Sequence, residues 1–145
     1  MLVRALLLVA AGFSVAFDAK DDAVKNELKK LEGTWLIVSG AEKGKELPKE
    51  AVDVGTQFQF AGNKFTMSVM KFKESQQGTF TTDPAKKLKE IDIKVGDREF
   101  RGIYLLEGDT LKLCMVRDKD AKRPTDFTTA PDNQNGRFGL KREKQ

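Results

Sequence analysis

The sequence predicts an all-β chain, an eight-stranded antiparallel up-and-down barrel preceded by one short helix. Three observations carry this. After Gly33, apolar residues recur at every second position in one short segment after another, the period of a strand with one buried face. Most of the segments are separated by hairpin-sized turns, such as Ala61-Gly62-Asn63-Lys64 and Glu107-Gly108-Asp109, whose glycines suit tight connections between antiparallel neighbours. Finally, a succession of short one-faced strands can hide its edges by closing on itself. A two-sheet sandwich is the competing solution, and the predominance of tight connections disfavours its crossing Greek-key links.

The first residues read differently. Residues 1–4 give a short positive start and 5–17 an apolar run interrupted only by Gly12 and Ser14, the grammar of a secretory signal peptide. Ser14-Val15-Ala16 places small residues where a signal peptidase reads. This predicts a signal peptide over 1–16 and one domain over 17–145, exported to the periplasm or out of the cell. The run is shorter than the roughly 20 apolar residues of a spanning helix, so no stable transmembrane anchor is expected. A bacterial lipid anchor would need a cysteine beside the cleavage site, and the one cysteine is Cys114.

In the mature chain, Val24, Leu28 and Leu31 form a helical stripe over about 21–32, with Asp21 or Asp22 as N-cap. Strands are then expected at about 34–39, 56–60, 65–69, 78–82, 91–95, 100–106, 110–116 and 137–142. Met70 and Phe72 lie on the opposite parity from Phe65, Met67 and Val69, which predicts a bulge or the end of a strand near Met70. A long polar loop through Pro124 and Pro131 leads to the last strand. The predicted inward residues are Trp35, Ile37, Phe58, Phe60, Phe65, Met67, Phe80, Ile91, Ile93, Leu111, Leu113, Met115, Phe138 and Leu140, with the facing of Tyr104 left open.

Composition excludes several function classes. The chain has 145 residues, no histidine and a single cysteine, which removes disulfide staples, Ser-His-Asp and Cys-His catalysis and imidazole metal sites. No catalytic residue, cofactor or metal is nominated, and the chain is not expected to be an enzyme. Asp118 and Asp120 share a turn-like run, but it lacks the glycine and terminal glutamate of a calcium-binding EF-hand loop. The net charge of +4 comes from 26 basic and 22 acidic residues interspersed along the chain; that pattern suits solubility and gives no nucleic-acid surface.

Gly33-Thr34-Trp35, at the start of the first strand and after a short helix, resembles the G-x-W signature of lipocalins and related barrels. The resemblance implies that Trp35 closes the base of the barrel and that Arg142, which shares parity with Phe138 and Leu140, packs across its indole. Further motifs occur in order: Leu31-Glu32-Gly33-Thr34-Trp35, Gly62-Asn63-Lys64-Phe65, Gly78-Thr79-Phe80, Ile91-Asp92-Ile93, Gly102-Ile103-Tyr104-Leu105, the segment 108–114 and Arg123-Pro124-Thr125-Asp126-Phe127. Together they are similar to an uncharacterised lipocalin-like domain family abundant in planctomycete bacteria. That likeness implies a barrel and an exported bacterial setting, and brings no ligand or reaction.

The candidate ligand-binding residues are Tyr104, as the one hydroxyl among apolar side chains, Arg123, able to hold an acidic group at the mouth, and the apolar Phe58, Phe80 and Met115. Gly33, Trp35 and Arg142 are the candidate barrel closure. Arg123 has a structural alternative, a bridge to Asp126 that fixes its loop with Phe127 as anchor. The functional expectation is a small apolar or amphiphilic ligand. The alternative is a filled barrel serving as a structural or protein-interaction domain of the cell envelope, with no particular partner indicated. In that alternative the outward apolar residues of the 100–106 and 110–116 strands would dock another protein.

Overall fold

The computed structural model describes residues 22–117 and 120–144. The expected signal peptide, Asp21 and Asp118 lie outside the described residues. Helix α1 covers 22–31. It is followed by β1 (Gly33–Glu42), β2 (Lys45–Glu46), α2 (Lys49–Asp53), β3 (Thr56–Ala61), β4 (Lys64–Val69), a 3-10 turn at Met70–Phe72, β5 (Glu74–Asp83), β6 (Glu90–Val95), β7 (Arg98–Glu107), β8 (Thr110–Val116) and β9 (Gly136–Arg142). All strands lie in one antiparallel sheet in which β1 and β3 to β9 pair consecutively, and β9 returns to β1. The eight longer strands therefore close into an up-and-down barrel, with β2 a two-residue flap on β1.

Parity and register together fix what faces inward. Trp35 stands opposite Phe58 on one side and Arg142 on the other. Phe58 stands opposite Met67, Phe80 opposite Ile93, and Leu113 opposite both Tyr104 and Phe138. All of the residues expected inside are buried in one cluster or pack against it, and Tyr104 joins them. A bulge in β1 between Ile37 and Ser39 shifts the pairing with β9, so Gly40 and Glu42 take over the inward positions beyond it. The phase change at Met70 is the end of β4, which turns out of the sheet through the 3-10 turn. Two inward positions, Gly102 and Gly78, have backbone where a side chain would go: a Cβ on Gly102 would overlap the Cys114 carbonyl oxygen. A Cβ on Gly78, where β5 begins to pair with β6, would overlap the Lys94 carbonyl oxygen.

Outside the barrel, the β8–β9 connection lies across β6, β7 and β8. Arg123 fastens it, donating from Nη1 to the Gly102 carbonyl at 2.8 Å and from Nη2 to Asp92 Oδ1 at 2.7 Å, with Glu90 at 3.7 Å. Pro124 is buried, and Arg137 donates to the Phe127 carbonyl at 3.2 Å. The anchor is thus Arg123 with Pro124. Asp126 does not bridge to Arg123 but accepts from the Thr128 N–H and hydroxyl, which lowers its pKa. Phe127 is half-buried on the surface under Lys112.

Beneath this strap, Ile103, Cys114 and Val116 are buried on the outer face of the sheet. Burial, with the nearby Asp126 charge adding and Arg137 opposing, pushes the Cys114 thiol up to about 11. In the native protein Cys114 is expected to react slowly with thiol reagents, since the thiolate is the nucleophile. Arg123→Ala removes charge-assisted hydrogen bonds worth about 1.5–3 kcal/mol each. Strap opening, and with it Cys114 modification by Ellman's reagent, should then rise by roughly 10- to 100-fold while the barrel stays folded. An unchanged rate would mean that the strap is held elsewhere.

Candidate functional site

The two ends of the barrel are built differently, and the difference starts in α1. Its stripe Val24, Leu28, Leu31 also contains position 27, where a glutamate stands. Leu28 and Leu31 pack on the barrel core. Glu27, at 4% exposure the one buried charged residue among those described, is carried inside with them. Such burial is tolerable only with partners. Glu27 Oε1 accepts from the Tyr104 hydroxyl at 2.8 Å and from Lys89 Nζ at 2.9 Å. Burial, followed by the hydrogen bond and charge of Glu27, raises the Tyr104 pKa far above the ordinary tyrosine value.

Neutral tyrosine is therefore the folded-state form. Its stabilising contribution is complete below the unfolded value near pH 10 and is lost as pH rises further. Tyr104 is the chain's one tyrosine, so its ionisation can be followed alone near 295 nm. The phenolate band should appear only together with unfolding above about pH 10. Tyr104→Phe should cost about 1–3 kcal/mol at neutral pH and flatten the alkaline loss of stability. A phenolate band from a folded barrel at pH 10 would contradict this account.

The same end carries the closure. Trp35 is fully buried and donates from Nε1 to the Leu31 carbonyl at 2.8 Å, tying β1 to the last turn of α1. The Arg142 guanidinium lies 4.2 Å from the Trp35 ring centroid. It donates from Nη1 to the Glu32 carbonyl and from Nη2 to the Lys30 carbonyl, each at 2.6 Å, and from Nε to Asp109 at 3.2 Å. A cation set on the exposed carbonyls at a helix C-terminus is favourable in itself. Gly33 makes the turn between helix and strand at φ +125°, and a Cβ there would sit 3.1 Å from the guanidinium. Helix, indole and arginine plug this end, and the rings of Phe60 and Phe80, 4.8 Å apart and edge to face, fill the space above.

The opposite end is open. A cavity of about 620 Å³ enters between the ends of the strands and reaches Ile37, Phe58, Phe65 and Ile93 at mid-barrel. Its upper wall is Met67, Val95, Phe100, Met115 and Phe138, and polar groups occur toward the rim, among them Glu42, Lys43, Arg117, Gln134 and Asn135. The β1–β3 connection covers one side of the mouth with Leu47 and Ala51 of α2. Leu47 is held there by its N–H donating to the Gly40 carbonyl at 2.9 Å.

Of the expected ligand residues, Phe58 and Met115 line this cavity. Tyr104 faces inward, but at the plugged end, where Glu27 takes its hydroxyl. Phe80 is packed against Phe60 below the cavity floor, and Arg123 is on the outer wall, spent on the strap. The outward apolar residues proposed for docking, Ile103, Cys114 and Val116, are covered by the chain's own loop. Leu105, at 41% exposure, is left bare on those two strands. Leu47, Ala51 and Arg117 enter the site without having been nominated. Arg117 had a signal, because it continues the inward parity of Leu111, Leu113 and Met115. Among the described residues no group of three or more metal-ligating side chains occurs and no helix is long and apolar enough to cross a membrane.

Fold and site define a one-ended barrel, plugged and packed at one end and opening into an apolar pocket at the other. No family model, no curated protein and no solved structure matches the chain.

Proposed function

We propose that this chain is an exported binding module that takes a small apolar or amphiphilic molecule into the open end of its barrel. The observation that carries the reading is the cavity of about 620 Å³ with its apolar wall, within the roughly 300–1,000 Å³ of small-molecule sites. Eight-stranded barrels are just wide enough either to be filled by side chains or to hold one small ligand. Here the filling residues gather at the plugged end and the pocket remains above them. The absence of histidine from the sequence and the use of Tyr104 and Glu27 in the plug favour a binding role over catalysis.

Export rests on the signal-peptide pattern of residues 1–16, and a place among exported lipocalin-like bacterial domains rests on the motif likeness. Native mass spectrometry of protein purified from its own source, with displacement of a bound fluorescent fatty acid, tests the binding reading. A co-purified small molecule and saturable displacement are expected; a bare chain with no saturable binding would refute it. The same spectra report the mature N-terminus. Phe17 is expected, and a chain retained intact inside the cell would refute export.

A further inference from the structure

Resting on the binding reading, we infer that the ligand is an amphiphile with an anionic head, carboxylate or phosphate, and that Arg117 holds this head at the rim while the tail fills the pocket. The pocket is polarised along its length. Its depth is aliphatic and aromatic, and its charged groups stand at the mouth. An apolar wall of this kind gains from burying a chain but leaves a charged head in the water-accessible rim, so a ligand enters tail first.

The rim charges select the sign of the head. Two cations, Lys43 and Arg117, face one carboxylate, Glu42, among the lining residues. Arg117 follows directly after β8 on the inward parity of Leu113 and Met115, which aims it at the pocket axis. Among the described residues it is also uncommitted. Arg98 bonds Gln76, Arg101 bonds the Ala121 carbonyl, and Arg123, Arg137 and Arg142 are bound as described. Among the described residues Arg117 and Lys43 form no ion pair or side-chain hydrogen bond. A free guanidinium beside an apolar pocket suits a bidentate contact with carboxylate or phosphate, the geometry a planar fork makes best. Glu42 works against an anion, and so places the head on the Arg117 side of the mouth.

Isothermal titration with a matched set of twelve-carbon compounds below their micelle concentrations tests this: dodecanoate, dodecyl phosphate, dodecanol and dodecyltrimethylammonium. The wild type should bind at least one anion roughly tenfold or more tighter than dodecanol, with the advantage shrinking as salt is raised. The stronger of the two anions identifies the head as carboxylate or phosphate. Arg117→Ala should bring that anion close to the affinity of dodecanol, weakening the anion by a far larger factor than dodecanol, and Arg117→Lys should recover part of the gain. Equal binding of dodecanol and both anions, preference for the ammonium compound, or equal weakening of dodecanol and the anion by Arg117→Ala would overturn the assignment while leaving the pocket reading intact. Failure of all four compounds to bind would overturn both.

Discussion

Trp35→Ala is expected to lower the urea midpoint of the barrel further than any other single substitution at its plugged end, with a folded baseline retained in water. Replacing a buried tryptophan by alanine costs about 3–5 kcal/mol from lost burial and the cavity left behind. Here the substitution also removes the donor to the Leu31 carbonyl and the surface on which Arg142 lies. Small domains are stable by only about 5–15 kcal/mol, so the loss is a large fraction of the whole. Urea unfolding of Trp35→Ala, Arg142→Ala and the double variant should give a coupling of about 0.5–2 kcal/mol from the stacked pair. Additive effects would show that Arg142 acts through the helix carbonyls alone. The chain has one tryptophan, so the series is best followed by circular dichroism.

Gly78→Ala is the second large effect, and it acts on the backbone. The added methyl is directed at the Lys94 carbonyl oxygen, part of a rigid strand and unable to swing aside as a flexible side chain would. Relief requires β5 and β6 to separate where their ladder begins, between Gly78 and Val95. Overpacking of this type costs about 1–3 kcal/mol and more where backbone must move, and about 3 kcal/mol is expected. A control at Gly62 should cost far less if the replacement tolerates its φ of +60°, as asparagine does, because a Cβ there meets nothing. Equal losses at Gly78 and Gly62 in thermal unfolding would rule out the steric explanation.

These residues also mark what a sequence can and cannot reveal. The strands were legible because alternation reports facing directly, and each predicted strand corresponds to one in the barrel. The first half of β5, Glu74 to Gln77, carries no alternation and is exposed, so nothing in its pattern distinguishes it from a loop. Likewise β2 and α2 lie in a polar stretch whose role depends on what they cover.

Parity, moreover, gives facing but not height. Phe58 and Phe80 share a reading in sequence, yet register puts one beside the cavity and the other under it. Tyr104 looked like a lone polar handle until a helix distant in sequence brought Glu27 to it. That partner was visible in the spacing of Val24, Glu27, Leu28 and Leu31, where a charge occupies the apolar stripe. Arg123 had its partners, the Gly102 carbonyl, Asp92 and Glu90 among them, on strands that no local pattern connects to it.

The central claim is that the open half of the barrel is a real apolar binding pocket. It is tested most directly by titrating a neutral apolar fluorophore, N-phenyl-1-naphthylamine, into the wild type and into Met115→Trp. Met115 is nearly buried in the pocket wall, and the larger side chain has empty space to enter. The account predicts saturable one-to-one binding by the wild type, and loss of that binding in the variant with the melting temperature unchanged or raised. A wild type that fails to bind, or a variant that binds equally well, would contradict it.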